Sequence, residues 1–455
     1  MNAKKTRIVL INPPASHIVE KHYQKASMPR IALAYLAASL KKNNISYEVI
    51  DAKFEGLTLK ETLKRLKNIK FSMVGITAMT TEILDAAELA TEIKKNSPSC
   101  KIVIGGAHAT ALPEDILKEF YCFDIACFGE GEITIQQLAF GKDLHKIEGI
   151  SFRSDGQIIK NCQREFIKNL DELPIPDWDA FLPAKQYPIL SSRGCAFRCN
   201  FCMRVLGNRI RFRDPEAVFE EMKYVYMRFK PDFFYFYDET FGFYKDKAEQ
   251  LLCSLIREGL NKKVQWSVQT RVDIIDSSLF VLMKEAGCVW VGFGIESGNS
   301  DVLDKTGKRI NLLKAEKAIA MARKAGLKTG TFFILGHPHE NKKTIEDTID
   351  FALKLDSTTL ALGIMVPYPG TEIYEMAKKN QGGYKIIAKS WADYNKQEGG
   401  ALELEYLSLK DLRRYQLIGY LKFYLLRFRL DKIRELFKSI SLISLLKTLV
   451  VRFFQ

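Results

Sequence analysis

The chain lacks several features, and each absence excludes a class of protein. No apolar stretch reaches the roughly 20 residues needed to cross a bilayer, so a spanning protein is not expected. Residues 1–7 are polar, and the apolar run at residues 8–11 is too short for the core of a secretory signal. The chain is therefore expected to remain in the cytoplasm. Its nine cysteines then form no disulfide framework. Six of them (Cys100, Cys122, Cys127, Cys162, Cys253, Cys288) are scattered and read as buried thiols. The other three are packed into eight residues. Neither an internal repeat nor a low-complexity tract is visible, which sets aside repeat architectures and long flexible linkers.

What is present is a chain of 455 residues, too long for one ordinary core, so two or three domains are expected. Hydrophobic residues make up 47%, enough to exclude wholesale disorder. The formal net charge of +14 fits nucleic acid, an anionic membrane surface or acidic ligands, and equally a lysine-rich solvated surface.

Residues 1–145 alternate short apolar runs (7–11, 47–50, 73–77, 101–104, 123–128) with helical patterns (31–42, 59–67, 83–95). Continuous apolar strands separated by helices predict an α/β domain, a doubly wound parallel sheet covered on both faces. Ligands of such sheets sit at the carboxyl ends of the strands. Residues 146–185 break the rhythm with a hairpin around Asp155-Gly156 and a stiff segment, Leu173-Pro174-Ile175-Pro176-Asp177-Trp178. They are expected to be hairpin and linker. A second series follows over residues 186–390, with strands at 188–192, 233–237, 264–269, 290–295, 329–335 and 360–366. Six parallel strands at this spacing predict a partial (β/α)6 barrel with its chemistry on the loops after the strands. Residues 391–455 read as a basic, apolar, helical C-terminal segment.

The cysteine triplet is Cys195-Ala196-Phe197-Arg198-Cys199-Asn200-Phe201-Cys202. Three thiolates on one short loop can hold three corners of a cubane cluster and leave the fourth iron open for a substrate. Zinc would need a fourth Cys or His nearby, and none follows closely. C-x3-C-x-aromatic-C after a first barrel strand resembles the radical S-adenosylmethionine (SAM) superfamily over residues 186–375. The resemblance implies a [4Fe–4S] cluster on Cys195, Cys199 and Cys202, with Phe201 beside it. It implies SAM chelating the open iron and being cleaved to a 5′-deoxyadenosyl radical. Asp238 and Glu239 follow the second strand, where the family places acceptors for the SAM amine. Arg271 follows the third and is suited to a carboxylate. Glu296 and Ser297 follow the fourth, where Glu296 would accept from ribose hydroxyls. Taken singly, Asp238 and Glu239 could be helix-starting acids and Arg271 a structural ion pair. His337 and His339 read as loop structure.

The N-terminal part resembles cobalamin-binding domains of the doubly wound type, which carry D-x-H-x-x-G, S-x-L and G-G after successive strands. The matching stretches are Asp51-Ala52-Lys53-Phe54-Glu55-Gly56, Thr77-Ala78-Met79 and Gly105-Gly106. Glycines suit a bulky nucleotide tail that needs close backbone approach. Lys53 stands in place of the family's histidine, and a protonated lysine has no lone pair for cobalt. That departure, with Asn12-Pro13-Pro14 and Gly129-Glu130-Gly131-Glu132, resembles the class B radical SAM enzymes. The resemblance implies cobalamin contacts at Asp51, Gly56, Thr77, Gly105, Gly106, Gly129 and Glu130. A degenerate domain that only braces the barrel is the alternative. His17, His22 and His108 read as loop or cap residues.

Residues 420–454 read as a helical cap on the barrel or as an amphipathic surface meeting a membrane or an apolar substrate. The combined resemblance implies a cobalamin-dependent radical SAM enzyme that methylates an unactivated carbon through the 5′-deoxyadenosyl radical and methylcobalamin. A cyclase or rearrangement enzyme, as in tetrapyrrole biosynthesis, keeps both cofactors without methylation. A non-catalytic cobalamin or redox sensor would not need the motifs after the second, third and fourth barrel strands. Methylthiotransferases are disfavoured, because no extra N-terminal cluster cysteines or RNA-binding tail is evident. The expected partners are a small-molecule or lipid-like substrate and an electron donor such as flavodoxin or ferredoxin, with no nucleic acid. No protein acid or base is assigned, since radical chemistry needs few.

Overall fold

A computed structural model describes residues 7–17 and 25–428. The first sheet is built from β1 (Ile8–Asn12), β2 (Tyr47–Asp51), β3 (Met73–Thr77), β4 (Lys101–Gly105), β5 (Ile125–Cys127), β6 (Ile150–Ser154) and β7 (Gln157–Lys160). Its order is β2-β1-β3-β4-β5-β6-β7, with the first five strands parallel. β1 and β3 are buried at every position. That is why they read as continuous apolar runs rather than alternating ones. The helix Ile31–Lys42 covers one face and buries Leu33, Ala37 and Leu40.

The hairpin is not part of a free linker. β6 pairs antiparallel with β5, and β7 pairs with β6, so together they extend the parallel sheet. The Asp155-Gly156 turn has positive φ at both residues (49° and 77°), the geometry that closes a two-residue hairpin with the natural strand twist. The Pro-punctuated segment after it is also docked. The Asp177 amide donates to Ala34 O at 3.0 Å, and its carboxylate accepts from Lys41 at 2.7 Å and from the Tyr47 hydroxyl. Trp178 is fully buried and packs edge-on to Tyr187, 5.3 Å between ring centres. One apolar cluster consequently runs from Ile8 and Leu33 through Trp178 to Tyr187 and Val218.

The second unit starts with β8 (Gln186–Ile189). A two-stranded antiparallel ribbon follows, β9 (Ser192–Arg193) with β10 (Arg211–Phe212). Then come β11 (Phe233–Phe236), β12 (Gln265–Thr270), β13 (Cys288–Glu296), β14 (Lys328–Leu335) and β15 (Thr359–Ile364). The order β15-β14-β13-β12-β11-β8 is a six-stranded parallel sheet with free edges at β15 and β8, an open barrel. The half-buried Trp290 ring lies over Gly292 and Gly330. A methyl on Gly330 would lie 2.1 Å from the indole and one on Gly292 2.4 Å from it, so both glycines make room for the ring.

Residues 391–408 are not helical throughout. Beyond a short turn at Trp391–Asp393, β17 (Leu402–Leu404) pairs antiparallel with β16 (Tyr384–Ile386). The helix Leu409–Leu426 then lies along β15. Tyr420 accepts from the Leu362 amide at 2.9 Å, and Gln416 donates to the Leu362 carbonyl at 2.7 Å. Side chains thus satisfy backbone groups that an edge strand leaves open. Among the described residues no helix is long and apolar enough to cross a membrane. His22 and most of the 420–454 segment lie outside the described residues.

Candidate functional site

The cysteines sit on the loop that leaves β8, and the ribbon β9–β10 forms the stem of that loop. Asp238, after β11, anchors its start. Asp238 is buried and accepts from the Ser191 amide (2.8 Å), the Ser191 hydroxyl and the Ser192 hydroxyl (2.7 Å). Gly194 has φ +91°, and a methyl there would lie 2.2 Å from Arg209 O, so only glycine fits. The Cys195 amide donates to Gly207 O (3.2 Å), and the Cys202 amide donates to Cys199 O (3.1 Å). The Asn200 amide reaches across to Thr306 O (3.0 Å). All three thiols are free; Cys199 is buried, Cys195 half-buried and Cys202 exposed. Burial pushes the Cys199 thiol up, while the cations of Lys308 and Arg271 oppose the shift. Among the described residues no three His, Cys, Asp or Glu side chains close on a single metal ion. Three thiols on one loop suit a cluster, in which each sulfur takes a different iron.

The residues expected around SAM divide into two groups. Glu239 stands in the mouth of the barrel, open to solvent yet walled by protein. Those walls push its carboxyl up to about 7, against the amide of Gly194, which donates to it. It is an open acceptor facing the cysteine loop. The others already have partners. Arg271 forks onto Asp273 (3.0 and 2.9 Å), donates to Lys308 O (3.1 Å) and stacks 3.7 Å over Phe197 of the cysteine loop. Ser297 is buried and bonded to Thr348 (3.0 Å) and the Asn299 amide (3.1 Å). Phe201 packs edge-on to His337 at 5.7 Å. Glu296 has φ +78° at a break in the β13–β14 register and accepts from Lys308 at 3.1 Å. Burial alone would raise its carboxyl, but Lys308 and Lys396 outweigh it and hold the group below the ordinary range. His337 is fully buried, which pushes its imidazolium down to about 4, so the ring is neutral.

At the carboxyl end of the first sheet, Asp51 is buried and accepts from Asn12 (2.6 Å), the Arg30 amide (2.7 Å) and the Phe54 amide (3.2 Å). It caps the one-turn helix that Gly56 ends. Lys53 donates to Glu82 at 2.7 Å, and Arg30 donates to the other oxygen of Glu82 at 2.7 Å. Sequence reading missed Glu82 and Arg30, because nothing local links residues 30, 53 and 82. Gly106 is pressed against the end of β3: a methyl there would lie 2.6 Å from Ala78 O and 3.0 Å from the Thr77 hydroxyl. Gly105 and Gly129 are the opposite case. A methyl at Gly105 meets nothing nearer than Cys127 at 4.0 Å, and one at Gly129 meets nothing within 4 Å. At the ends of β4 and β5 these two positions therefore border open space that a side chain would occupy. His108 is buried with its ring 4.7 Å from that of Trp391, and burial pushes it down to about 4. Glu130 is bonded to Arg193 and Arg211.

The two sets of loops face each other. Glu130, after β5, reaches Arg193, two residues before Cys195. A methyl on Gly370, after β15, would lie 3.2 Å from Ala111 of the helix after β4 and 3.1 Å from Met203. Trp391 donates to Glu119 at 2.8 Å. Comparison with known proteins now decides the family. Residues 189–352 match the radical SAM superfamily and residues 24–139 the B12 binding domain. An uncharacterised methyltransferase of Pyrococcus horikoshii is 32% identical over 93% of both chains.

The chain belongs to the cobalamin-binding radical SAM enzymes.

An anaerobic magnesium-protoporphyrin IX monomethyl ester cyclase of Cereibacter sphaeroides is 27% identical over 77% of this chain and 60% of that protein. In fold, the radical SAM methyltransferase TsrM of Kitasatospora setae, solved with cobalamin and a [4Fe–4S] cluster, superposes with a TM-score of 0.73. That match has 19% identity and covers 89% of this chain and 88% of TsrM. The cofactors of this radical SAM enzyme are a [4Fe–4S] cluster, SAM and cobalamin. Its substrate is a small molecule, and a reductant feeds the cluster.

Proposed function

We propose that this enzyme methylates an unactivated carbon of a small molecule held between the two sheet ends. One observation supports the reading: loops after β4 and β5 of the first sheet meet loops after β8 and β15 of the second. When bound, the cofactors supply hydrogen-atom abstraction from one side and a methyl group from the other. Both must reach one carbon, within roughly 3–3.5 Å during the cycle. The chain's part is placement. Cys195, Cys199 and Cys202 hold the cluster, and Glu239 accepts from the SAM amine. Gly105 and Gly129 leave room for the cobalamin tail. Lys53 gives cobalt no bond, because its ammonium is held by Glu82 and carries no lone pair. Asp238 and Arg271 act through the loop they brace rather than by touching SAM. A flavodoxin or ferredoxin supplies the electron. The methyltransferase relative from Pyrococcus supports methylation.

The test is turnover of a small-molecule extract, under reducing anaerobic conditions, with SAM deuterated in its methyl group. The expected result is 5′-deoxyadenosine together with one new species carrying a labelled methyl. Deoxyadenosine accompanied by a changed but unlabelled product would shift the reading to cyclisation, which the cyclase relative favours.

A further inference from the structure

We propose that Glu130 is a positioning residue that couples the seating of cobalamin to the geometry of the cluster loop. The inference rests on the reading that the two cofactors occupy the facing sheet ends. Glu130 follows Gly129, where an added methyl would meet nothing within 4 Å. Its own carboxylate points the other way. Oε2 accepts from the Ile167 amide (2.7 Å), Oε1 from Arg193 (2.9 Å), and both oxygens from Arg211 (3.0 and 2.9 Å). Those two arginines pair in the ribbon β9–β10, the stem of the cysteine loop. One carboxylate from the first sheet thus grips both strands of that stem.

Each grip continues to a cysteine. Only Gly194 separates Arg193 from Cys195, in a φ +91° conformation where any side chain would meet Arg209 O. Arg211 also donates to Leu206 O at 2.7 Å, and the next carbonyl, Gly207 O, accepts the Cys195 amide at 3.2 Å. Arg193 bonds Glu132 as well (2.8 Å) and lies 4.6 Å over the Tyr35 ring. Two cations and two carboxylates therefore balance. Glu130, Glu132 and Arg193 are buried, and Arg211 is nearly so. Surface ion pairs are labile because water competes for them; a buried and fully bonded set holds one arrangement. A nucleotide tail seated against the Gly129–Gly131 turn therefore fixes the position of Glu130, and so of the stem.

Coupling between two sites is reciprocal, and this fixes the experiment. Hydroxocobalamin affinity is measured on cluster-loaded and cluster-free full-length protein. Loss of iron to a chelator is measured with and without hydroxocobalamin. Wild type should bind hydroxocobalamin about tenfold more tightly when the cluster is present, and cobalamin should stabilise the cluster by a matching factor. Glu130→Gln should bring the affinity ratio to about one while each cofactor still binds alone, and should change the electron paramagnetic resonance spectrum of the reduced cluster. Arg193→Lys keeps the charge balance but replaces the planar guanidinium, whose Nη1 reaches both Glu130 and Glu132, with a flexible ammonium, so its ratio should fall between the two. Should Glu130→Gln fail to fold, this variant decides. A wild-type ratio of one, or a ratio unchanged in both variants, overturns the coupling. If wild type takes up no cobalamin at all, the reading beneath falls with it, which is a distinguishable result.

Discussion

Adjacent glycines at the end of β4 have opposite reasons to be glycine, and substitution separates them. Gly106 has φ +95° and no room, so Gly106→Ala combines backbone strain with a clash against Ala78 O. It should cost ~1–3 kcal/mol, visible as a lower midpoint in denaturant unfolding. Gly105 borders open space, so Gly105→Leu should leave that midpoint nearly unchanged yet abolish hydroxocobalamin uptake. Loss of stability at Gly105 with cobalamin uptake intact would refute that open space as the tail's site. Glu82 offers a second residue-scale test. Burial would raise its carboxyl, but Arg30 and Lys53 outweigh it and bring the group to about 2, against an ordinary 4.5. A folded-state value below the unfolded one stabilises the protein above the unfolded value. That stabilisation is lost as pH falls from 4.5 toward 2, here ~3 kcal/mol. Lys53→Ala removes one of the two cations. Urea midpoints should then differ between wild type and variant near neutral pH and converge toward pH 2, with cobalamin uptake retained throughout.

At the scale of elements, the helix Leu409–Leu426 acts as a seal on β15. Tyr420→Phe takes the acceptor from the buried-edge amide of Leu362. An unsatisfied backbone donor costs ~1–3 kcal/mol, and hydrogen exchange at Leu362 should accelerate accordingly. Unchanged protection there would show that water replaces the hydroxyl. Elements of this kind also mark how far the sequence could be read. The strand at 73–77 and the helix at 31–42 were legible, because continuous burial and helical spacing leave their pattern in a few neighbouring residues. The hairpin's place in the first sheet was not, since pairing of β6 with β5 depends on residues some 25 positions apart. β17 was hidden in a stretch whose apolar residues fit helix and strand alike. For the site, the loop of Cys195, Cys199 and Cys202 announced itself by spacing alone. The partners of Glu130 and the Thr348 partner of Ser297 did not, because they arrive from other elements; Asp273 lies two residues from Arg271, yet its pairing depends on the fold of that loop. Arg271, Ser297 and Glu130, read from the sequence as cofactor contacts, also bond to protein.

At the scale of the whole molecule, the question is whether the two sheets are separate domains that happen to touch. The Pro-rich stretch reads as a boundary, yet Trp178 is fully buried at the seam and belongs to the apolar cluster that includes Ile8 of β1 and Tyr187 of β8. The cluster is reinforced by the ion pairs of Glu130 with Arg193 and Arg211, which cross the same seam. A cleft enzyme with two large cofactors benefits from such a seam, because reacting atoms misplaced by about 1 Å cost on the order of a hundredfold in rate. The expected consequence is cooperative unfolding of the two sheets as one unit. In wild type, hydrogen exchange of β3 and of β12 should report the same transition in denaturant. Trp178→Ala empties the seam and should cost ~3–5 kcal/mol. It should also part the two probes, since each sheet keeps the core on its own far face while losing the shared one. Two separate transitions already in wild type would show that the halves fold independently, and cofactor alignment would then rest on the ion pairs alone.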